Sequence, residues 1–352
     1  MRKKIFFLVG TLGAGGAERV FWLLSQGFNQ ELYEITLVLY SSREATFSMD
    51  LRGVRMIDLN TQKASRSFFK LYSLIRAEKP YAVYSTVGQN NILLSLVSFF
   101  APIPNIIARG SNIPDQSVKF NGKKSSFWTL FVPCFYRRFK AIVCQSEEMK
   151  CSFLKVYHLD PQKIALIPNP VVNTGYLNTR LINSGPKRII IVARLTQVKG
   201  HDRLLEIFRQ LPVNYLLTIA GDGPLKEEIQ ARVKRLNLEH RVQLIGEVSN
   251  AIQLIAEHNV LVLSSYTEGF PNVVLEALSV GTPVVTFRVG GITGLILDGF
   301  NGYVVEQGDT ERFKERIIEA CSQKWDAMAI KQDVFSRYSL QKVALQYEEL
   351  VL

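Results

Sequence analysis

Ser264-Ser265-Tyr266-Thr267-Glu268-Gly269-Phe270-Pro271-Asn272-Val273-Val274-Leu275-Glu276-Ala277-Leu278-Ser279-Val280-Gly281-Thr282-Pro283-Val284-Val285 is the stretch on which the fold turns. An apolar run ends near Ser264, a loop follows, and a helical pattern starts at about Asn272. A second β-rich run begins at Pro283. Strand, loop, helix and strand in so short a span make the unit of a parallel α/β sheet. Ligands of such sheets sit beyond the carboxyl ends of the strands, where this loop lies. Pro271 suits a helix start, because its missing N–H costs nothing there. Gly269 lets backbone approach a ligand closely. The amides of Phe270, Asn272 and Val273, at the start of the helix, suit a phosphate or a sugar hydroxyl. Glu268 and Glu276 stand eight apart, and both can reach one ligand. A carboxylate only accepts hydrogen bonds, so it grips vicinal hydroxyls of a sugar or ribose.

The same alternation runs outward from this unit. Ile5–Val9, Ile35–Tyr40, Ala82–Ser85, Ile106–Ala108 and Ala141–Gln145 read as buried strands, with helical stretches such as Ala17–Asn29 and Ser67–Glu78 between them. Asn178 to Lys187 is polar with a Gly-Pro pair and reads as a linker. Beyond it come Arg188–Ala193, Tyr215–Ala220, Val242–Ile245, Val260–Ser264 and Pro283–Phe287. A chain of 352 residues suits two domains. The expected fold class is α/β, two Rossmann-like doubly wound domains with a cleft between them. The first spans 1–180, joined by a C-terminal helix over 335–352, and the second spans 185–334.

Composition narrows the function classes. The content is 47% hydrophobic and 21% charged, that of a folded globular protein. Four cysteines and four histidines show no disulfide or metal-ligand spacing, so no metal or other cofactor is expected. The apolar run after Lys4 stops at Gly10, too short for a signal peptide. Ile92 to Pro104 falls short of the roughly 18 residues of a spanning helix. The net charge of +11 is one-sided. Residues 1–183 hold 23 Lys/Arg against 11 Asp/Glu, and the remainder holds 19 against 20. The first half therefore expects an anionic partner. From Gln116 to Ser146 no acidic residue occurs. Lys123, Lys124, Arg137 and Arg138 are interleaved there with Phe127 and Trp128, which suits an anionic membrane surface. No nucleic-acid recognition module is visible.

The Glu-x7-Glu spacing, with its flanking GFP, EA and GTPVV, resembles the donor-site signature of the retaining glycosyltransferases of family 4, which have the GT-B fold. Other segments match that family. Arg194 and Lys199, in Ala193-Arg194-Leu195-Thr196-Gln197-Val198-Lys199-Gly200, would meet a diphosphate with a planar fork and a point charge. Gly221 and Gly223, in Gly-Asp-Gly-Pro, resemble the glycine turn beside the nucleotide. Gly246 falls in the segment that lies against the base. Thr11 to Arg19 is neither GxGxxG nor a P-loop, and it resembles the family's GGAER. Gly15 and Gly16 would let a helix N-terminus approach the donor. Many relatives have a histidine near 109–112; this chain has Arg109, Gly110, Ser111 and Asn112 there. Arg109 or Asn112 would contact the sugar or acceptor instead, or serve folding alone. The family's glutamate after the paired glycines is replaced by Thr293-Gly294-Leu295.

The resemblance implies transfer of a hexose or N-acetylhexosamine from a nucleoside diphosphate sugar, UDP-linked by expectation, with retained anomeric configuration. Glu276 would hold the ribose. Glu268, Arg194 and Lys199 would act at the reacting sugar and the departing diphosphate. The acceptor would be a saccharide or lipid-linked oligosaccharide of surface polysaccharide synthesis, met at the inner face of the cytoplasmic membrane. Two other readings stand beside this one. A UDP-sugar epimerase of the same fold needs acid/base groups in the first domain, and none is evident. A catalytically silent membrane-binding module would not need the intact Glu268, Glu276, Arg194 and Lys199.

Overall fold

A computed structural model describes residues 2–13, 15–43, 50–115, 132–178 and 185–352 of the chain. The chain forms two compact units, Met1–Pro170 with Tyr338–Leu352, and Val171–Arg337.

The first unit is built on a parallel sheet in the order β3-β2-β1-β4-β5-β6-β7. Its strands are β1 (Lys3–Val9), β2 (Tyr33–Leu39), β3 (Val54–Asp58), β4 (Ala82–Thr86), β5 (Asn105–Arg109), β6 (Ala141–Cys144) and β7 (Ile164–Leu166). Helices α1 (Gly16–Gly27), α2 (Phe68–Glu78), α3 (Gly88–Phe100), α4 (Val132–Tyr136) and α5 (Glu147–Tyr157) follow in the chain. Successive side chains of a strand point to opposite faces, and β1 divides its residues accordingly. Ile5, Phe7 and Val9 enter one core with Phe21 and Leu24 of α1. Phe6 and Leu8 enter the other with Leu71 and Ile75 of α2 and Leu94 and Val97 of α3. With both faces covered, the strand must be apolar throughout, which is why it reads as a continuous run.

Phe7 is the hub of the first core. Its ring meets those of Phe21, Phe28 and Tyr84 at 5.1–5.2 Å between centroids. The C-terminal helix, α12 (Leu340–Glu349), follows α11 (Ala327–Tyr338) and belongs to this unit. Its Val343, Ala344 and Tyr347 complete the same core. Tyr84 Oη donates to the Tyr347 carbonyl at 2.7 Å, and Tyr81 Oη to that of Val351 at 2.7 Å. Glu348 accepts from the Asn29 amide at 2.6 Å, and its burial raises its carboxyl above the ordinary range.

The second unit repeats the plan with the order β10-β9-β8-β11-β12-β13, also parallel. Its strands are β8 (Lys187–Val192), β9 (Tyr215–Ala220), β10 (Val242–Gly246), β11 (Val260–Leu263), β12 (Val284–Phe287) and β13 (Gly302–Val305). The helices are α6 (His201–Phe208), α7 (Lys226–Arg235), α8 (Ala251–Ala256), α9 (Asn272–Ser279) and α10 (Thr310–Ser322), with α11 after them.

The division of the chain differs from the linker reading. The change of unit falls after Pro170, and Asn178 is already a bolt of the second unit. Its buried amide donates to the His258 carbonyl and to Thr282 Oγ1, both at 2.7 Å. Polar composition alone does not separate a linker from a segment whose amides are satisfied inside a core. Residues 179–184 lie outside the described residues.

Phe7→Ala should destabilise the first unit by about 3–5 kcal/mol, since a large aromatic core is emptied. Chemical denaturation measures this, and a loss under about 1 kcal/mol would contradict the hub role.

Candidate donor site

Five loops of the second unit leave the carboxyl ends of neighbouring parallel strands, so they share one edge of one sheet. The loop after β8 carries Arg194 and Lys199. The turn after β9 carries Gly221 and Gly223, and β10 ends at Gly246. The loop after β11 carries Glu268, Gly269 and Phe270 and leads into α9. The turn after β12 carries Gly290 and Gly291.

Close backbone approach explains two of the glycines. Gly221 has φ +136°, and a Cβ there would stand 2.0 Å from the Ala193 carbonyl oxygen. Gly200, at φ +62°, would place a Cβ 2.2 Å from the Ser264 carbonyl oxygen. The loop after β8 therefore lies flush against both of its neighbours. Leu195 N donates to the Asp222 carbonyl, Tyr266 N to that of Val198, and Ser264 Oγ to that of Lys199.

This approach brings Lys199 to Glu268. Lys199 Nζ donates to Glu268 Oε1 at 2.6 Å, and Ser265 Oγ donates to the same oxygen at 2.6 Å. Both charged side chains are part-buried. Glu276 lies in the second turn of α9 and is half-exposed. Pro271 takes the N-cap position rather than the first helical turn, in extended backbone, and α9 begins at Asn272 with Val273 next. Gly291 packs under Phe270, 2.6 Å from its ring at the Cβ position. Arg194 is exposed, and among the described residues no side-chain hydrogen bond or ion pair engages its guanidinium. The structure thus joins Lys199 with Glu268 and leaves Arg194 apart from that pair.

Sequence reasoning passed over the group that holds this loop. Arg203 Nε donates to the Ser264 carbonyl and Nη2 to that of Ser265, both at 2.6 Å. Its guanidinium lies over the rings of Tyr266 and Phe287, at 3.9 and 4.0 Å. Gln307 reinforces it, accepting from Arg203 and donating to the Ser265 carbonyl. Burial pushes the Arg203 guanidinium down to about 10. Its place one helical turn after Lys199 was the available signal. His201 was also passed over. It opens α6 with 2% exposure, and among the described residues neither ring nitrogen has a partner. Burial, and then the Lys199 cation, push its pKa down to about 4.

In the first unit Arg109 lies within the core. The guanidinium is 3% exposed, and it donates to Thr86 Oγ1 at 3.2 Å and to Asn169 Oδ1 at 2.6 Å. It is a core tie between β4, β5 and the segment after β7, which accords with the reading that it serves folding. Asn112 is exposed on the loop beyond β5. Gly15 caps α1 and Gly16 begins it, both in the first unit. Of the basic stripe, Lys123, Lys124, Phe127 and Trp128 lie outside the described residues. Arg137 is exposed, while Arg138 is bound to Ser98 through Nε and Nη2, each at 3.0 Å. Tyr136 and Phe139, on either side of these arginines, are buried core. No helix among the described residues is long and apolar enough to cross a membrane.

Residues 14–173 match the model of Glycosyltransferase Family 4, and residues 176–339 match that of Glycosyl transferases group 1. The chain belongs to the GT-B glycosyltransferases. It is 25% identical to the Escherichia coli UDP-Gal:alpha-D-GlcNAc-diphosphoundecaprenol alpha-1,3-galactosyltransferase, over 88% of this chain and 85% of that one. It is 26% identical to a Campylobacter jejuni enzyme, over 86% of this chain and 84% of that one. That relative is the GalNAc-alpha-(1->4)-GalNAc-alpha-(1->3)-diNAcBac-PP-undecaprenol alpha-1,4-N-acetyl-D-galactosaminyltransferase. Anabaena HepE, solved in complex with UDP-glucose, shares the fold with a TM-score of 0.83 at 18% identity, over 98% of each chain.

The buried His201 gives this glycosyltransferase a pH signature. Its folded pKa of about 4 lies below the ordinary 6.5, so the unfolded chain takes up the proton first. The stability it confers is complete above about 6.5 and is lost as the pH falls toward about 4. His201→Gln should flatten the stability profile between those limits in denaturant titrations. An unchanged slope would contradict the assignment.

Proposed function

We propose that the second unit binds a nucleoside diphosphate sugar, UDP-linked, and that the enzyme transfers its hexose or N-acetylhexosamine with retention of configuration. The acceptor is a saccharide or lipid-linked oligosaccharide in surface polysaccharide synthesis. The observation that carries the reading is the Lys199–Glu268 contact at the carboxyl edge of the sheet. It puts a cation and a hydroxyl-gripping carboxylate within one hydrogen bond of each other, as a sugar joined to a diphosphate requires. The ammonium has three donors, so Lys199 can keep Glu268 and still meet a phosphate oxygen.

In this reading Glu276 accepts from the ribose hydroxyls. Glu268 and the amides of Phe270, Asn272 and Val273 hold the sugar. Gly221, Gly223 and Gly246 keep the neighbouring backbone low enough for the nucleotide to approach. Lys199 and Arg194 stabilise the charge that grows on the departing diphosphate, without a metal ion. The bond from the anomeric carbon to the β-phosphate oxygen breaks, and the bond to the acceptor oxygen forms. The acceptor proton passes to the leaving phosphate.

The relatives support the coarser part of this proposal. The E. coli name specifies a UDP-sugar and a diphosphoundecaprenol acceptor, and the C. jejuni name a PP-undecaprenol acceptor. An acceptor of that kind is membrane-bound, which accords with the positive excess of residues 1–183. We therefore place the first unit against an anionic membrane, at its cytoplasmic face.

Lys199→Ala should lower kcat about a hundredfold with a smaller change in donor affinity. Steady-state kinetics with a UDP-sugar decide this, and unchanged turnover would remove Lys199 from the mechanism. Glu276→Ala should weaken UDP binding about tenfold or more, by loss of charge-assisted hydrogen bonds. Calorimetry showing full affinity would contradict the ribose assignment.

A further inference from the structure

Among the described residues, the only aromatic side chains more than half exposed are Phe69 at 78%, Phe99 at 56% and Phe100 at 63%. They are not scattered. Phe69 meets Phe68 with ring centroids 5.3 Å apart, and Phe68 meets Phe100 at 5.9 Å. Phe99 follows Phe100 back along α3. Phe69, Phe68 and Phe100 therefore make one apolar ridge from the first turn of α2 to the last turn of α3, with Phe99 next to its end in the chain. Contiguous exposed apolar surface of this kind marks a contact site.

Among the described residues, the charges around the ridge are predominantly positive. The Arg138 guanidinium lies over the Phe99 ring at 4.0 Å, held there by its bonds to Ser98. Arg137 and Lys140 flank it and are exposed. At the other end Arg66 and Lys70 bracket Phe69. With Arg43 they line an open cavity of about 370 Å³ whose other lining residues are hydroxyl and amide side chains. Lys70 Nζ is fixed there by the Leu59 and Asn60 carbonyls, at 2.7 and 3.3 Å. Helix α3 carries no charge, and α2 has a single carboxylate, Glu78. That carboxylate is neutralised by Lys4 and Arg55 at 2.5 and 2.8 Å, which hold it below the ordinary carboxylate range. Nearby Asp58 is turned onto Ser42 and the Asn60 amide.

We propose that Phe69, Phe99 and Phe100 form a wedge that enters an anionic lipid surface, with Arg138 on one flank and the Arg43–Arg66–Lys70 cavity receiving lipid phosphate on the other. Aromatic rings favour the depth of the headgroups, and cations beside them meet anionic phosphates. A protein partner would be expected to need opposite charges in fixed places, whereas a lipid surface needs only an apolar edge and a positive collar. The proposal rests on the membrane-linked reading above and names the surface that serves it.

The test is sedimentation of the full chain with vesicles. One set is phosphatidylethanolamine with about one-quarter phosphatidylglycerol, and the other is phosphatidylcholine alone. The wild type should bind the anionic set and bind the neutral set about tenfold less. The combined Phe69→Ser, Phe99→Ser, Phe100→Ser variant should lose about tenfold or more of the anionic binding, with UDP affinity and melting temperature retained. Should that variant fold poorly, Arg43→Gln with Arg66→Gln, which leaves the apolar ridge intact, should lose several-fold. Anionic binding undiminished in these variants overturns the wedge, and leaves residues 119–140 as the anchor for the membrane reading. Equal binding of the wild type to both vesicle types overturns the charged collar. A wild type that binds neither set overturns the wedge and the membrane reading together.

Discussion

The Lys199–Glu268 contact depends on a backbone approach that only glycine permits. Gly200 sits in the left-handed region with the Ser264 carbonyl where a Cβ would be. Any side chain there would push the loop after β8 away from the loop after β11, and the ion pair would open. The pair itself contributes little to stability, since part-exposed ion pairs are typically worth up to about 1 kcal/mol. Its importance is positional. Ser265 orients the carboxylate from one side, and Arg203 and Gln307 tie down the carbonyls before it. Preorganised groups of this kind need not rearrange when charge develops in a reaction.

The sheets make that loop geometry possible. In each unit every strand runs the same way, so every strand delivers its carboxyl end to one edge. Where helices cover both faces, as at β1, the strand is largely apolar, and polar function is left to the loops. The second unit spends its loops on close backbone contact and on charged pairs, Lys199–Glu268 among them. The first spends a buried arginine, Arg109, on tying its own strands together, and carries its excess charge elsewhere.

Much of this was legible in the sequence. Mostly apolar runs located β1, β2, β4, β5, β6 and β8 to β12 within a residue or two, in the central strands because cover on both faces leaves little polar interruption. The strands that escaped are edges. In β3, Arg55 and Asp58 interrupt the pattern because the strand is half-exposed; β7 has three residues and β13 four. The Glu-x7-Glu segment identified the loop and helix, since Gly269 and Pro271 punctuate them. Three things could not be read. Arg109 and Asn169 are sixty residues apart, and only the fold brings them together. Arg203 looks like any solvated helix arginine until the carbonyls of another loop are placed beside it. The ridge of Phe69, Phe99 and Phe100 draws on two helices that each read as ordinary amphipathic or apolar segments.

The most direct test of the central claim is hydrogen exchange of the backbone with and without UDP-glucose. The account predicts new protection in residues 193–200, 221–225 and 264–276, the loops at the carboxyl edge of the second sheet. Saturating nucleotide sugar that leaves those loops unprotected, while protecting another part of the chain, would contradict it.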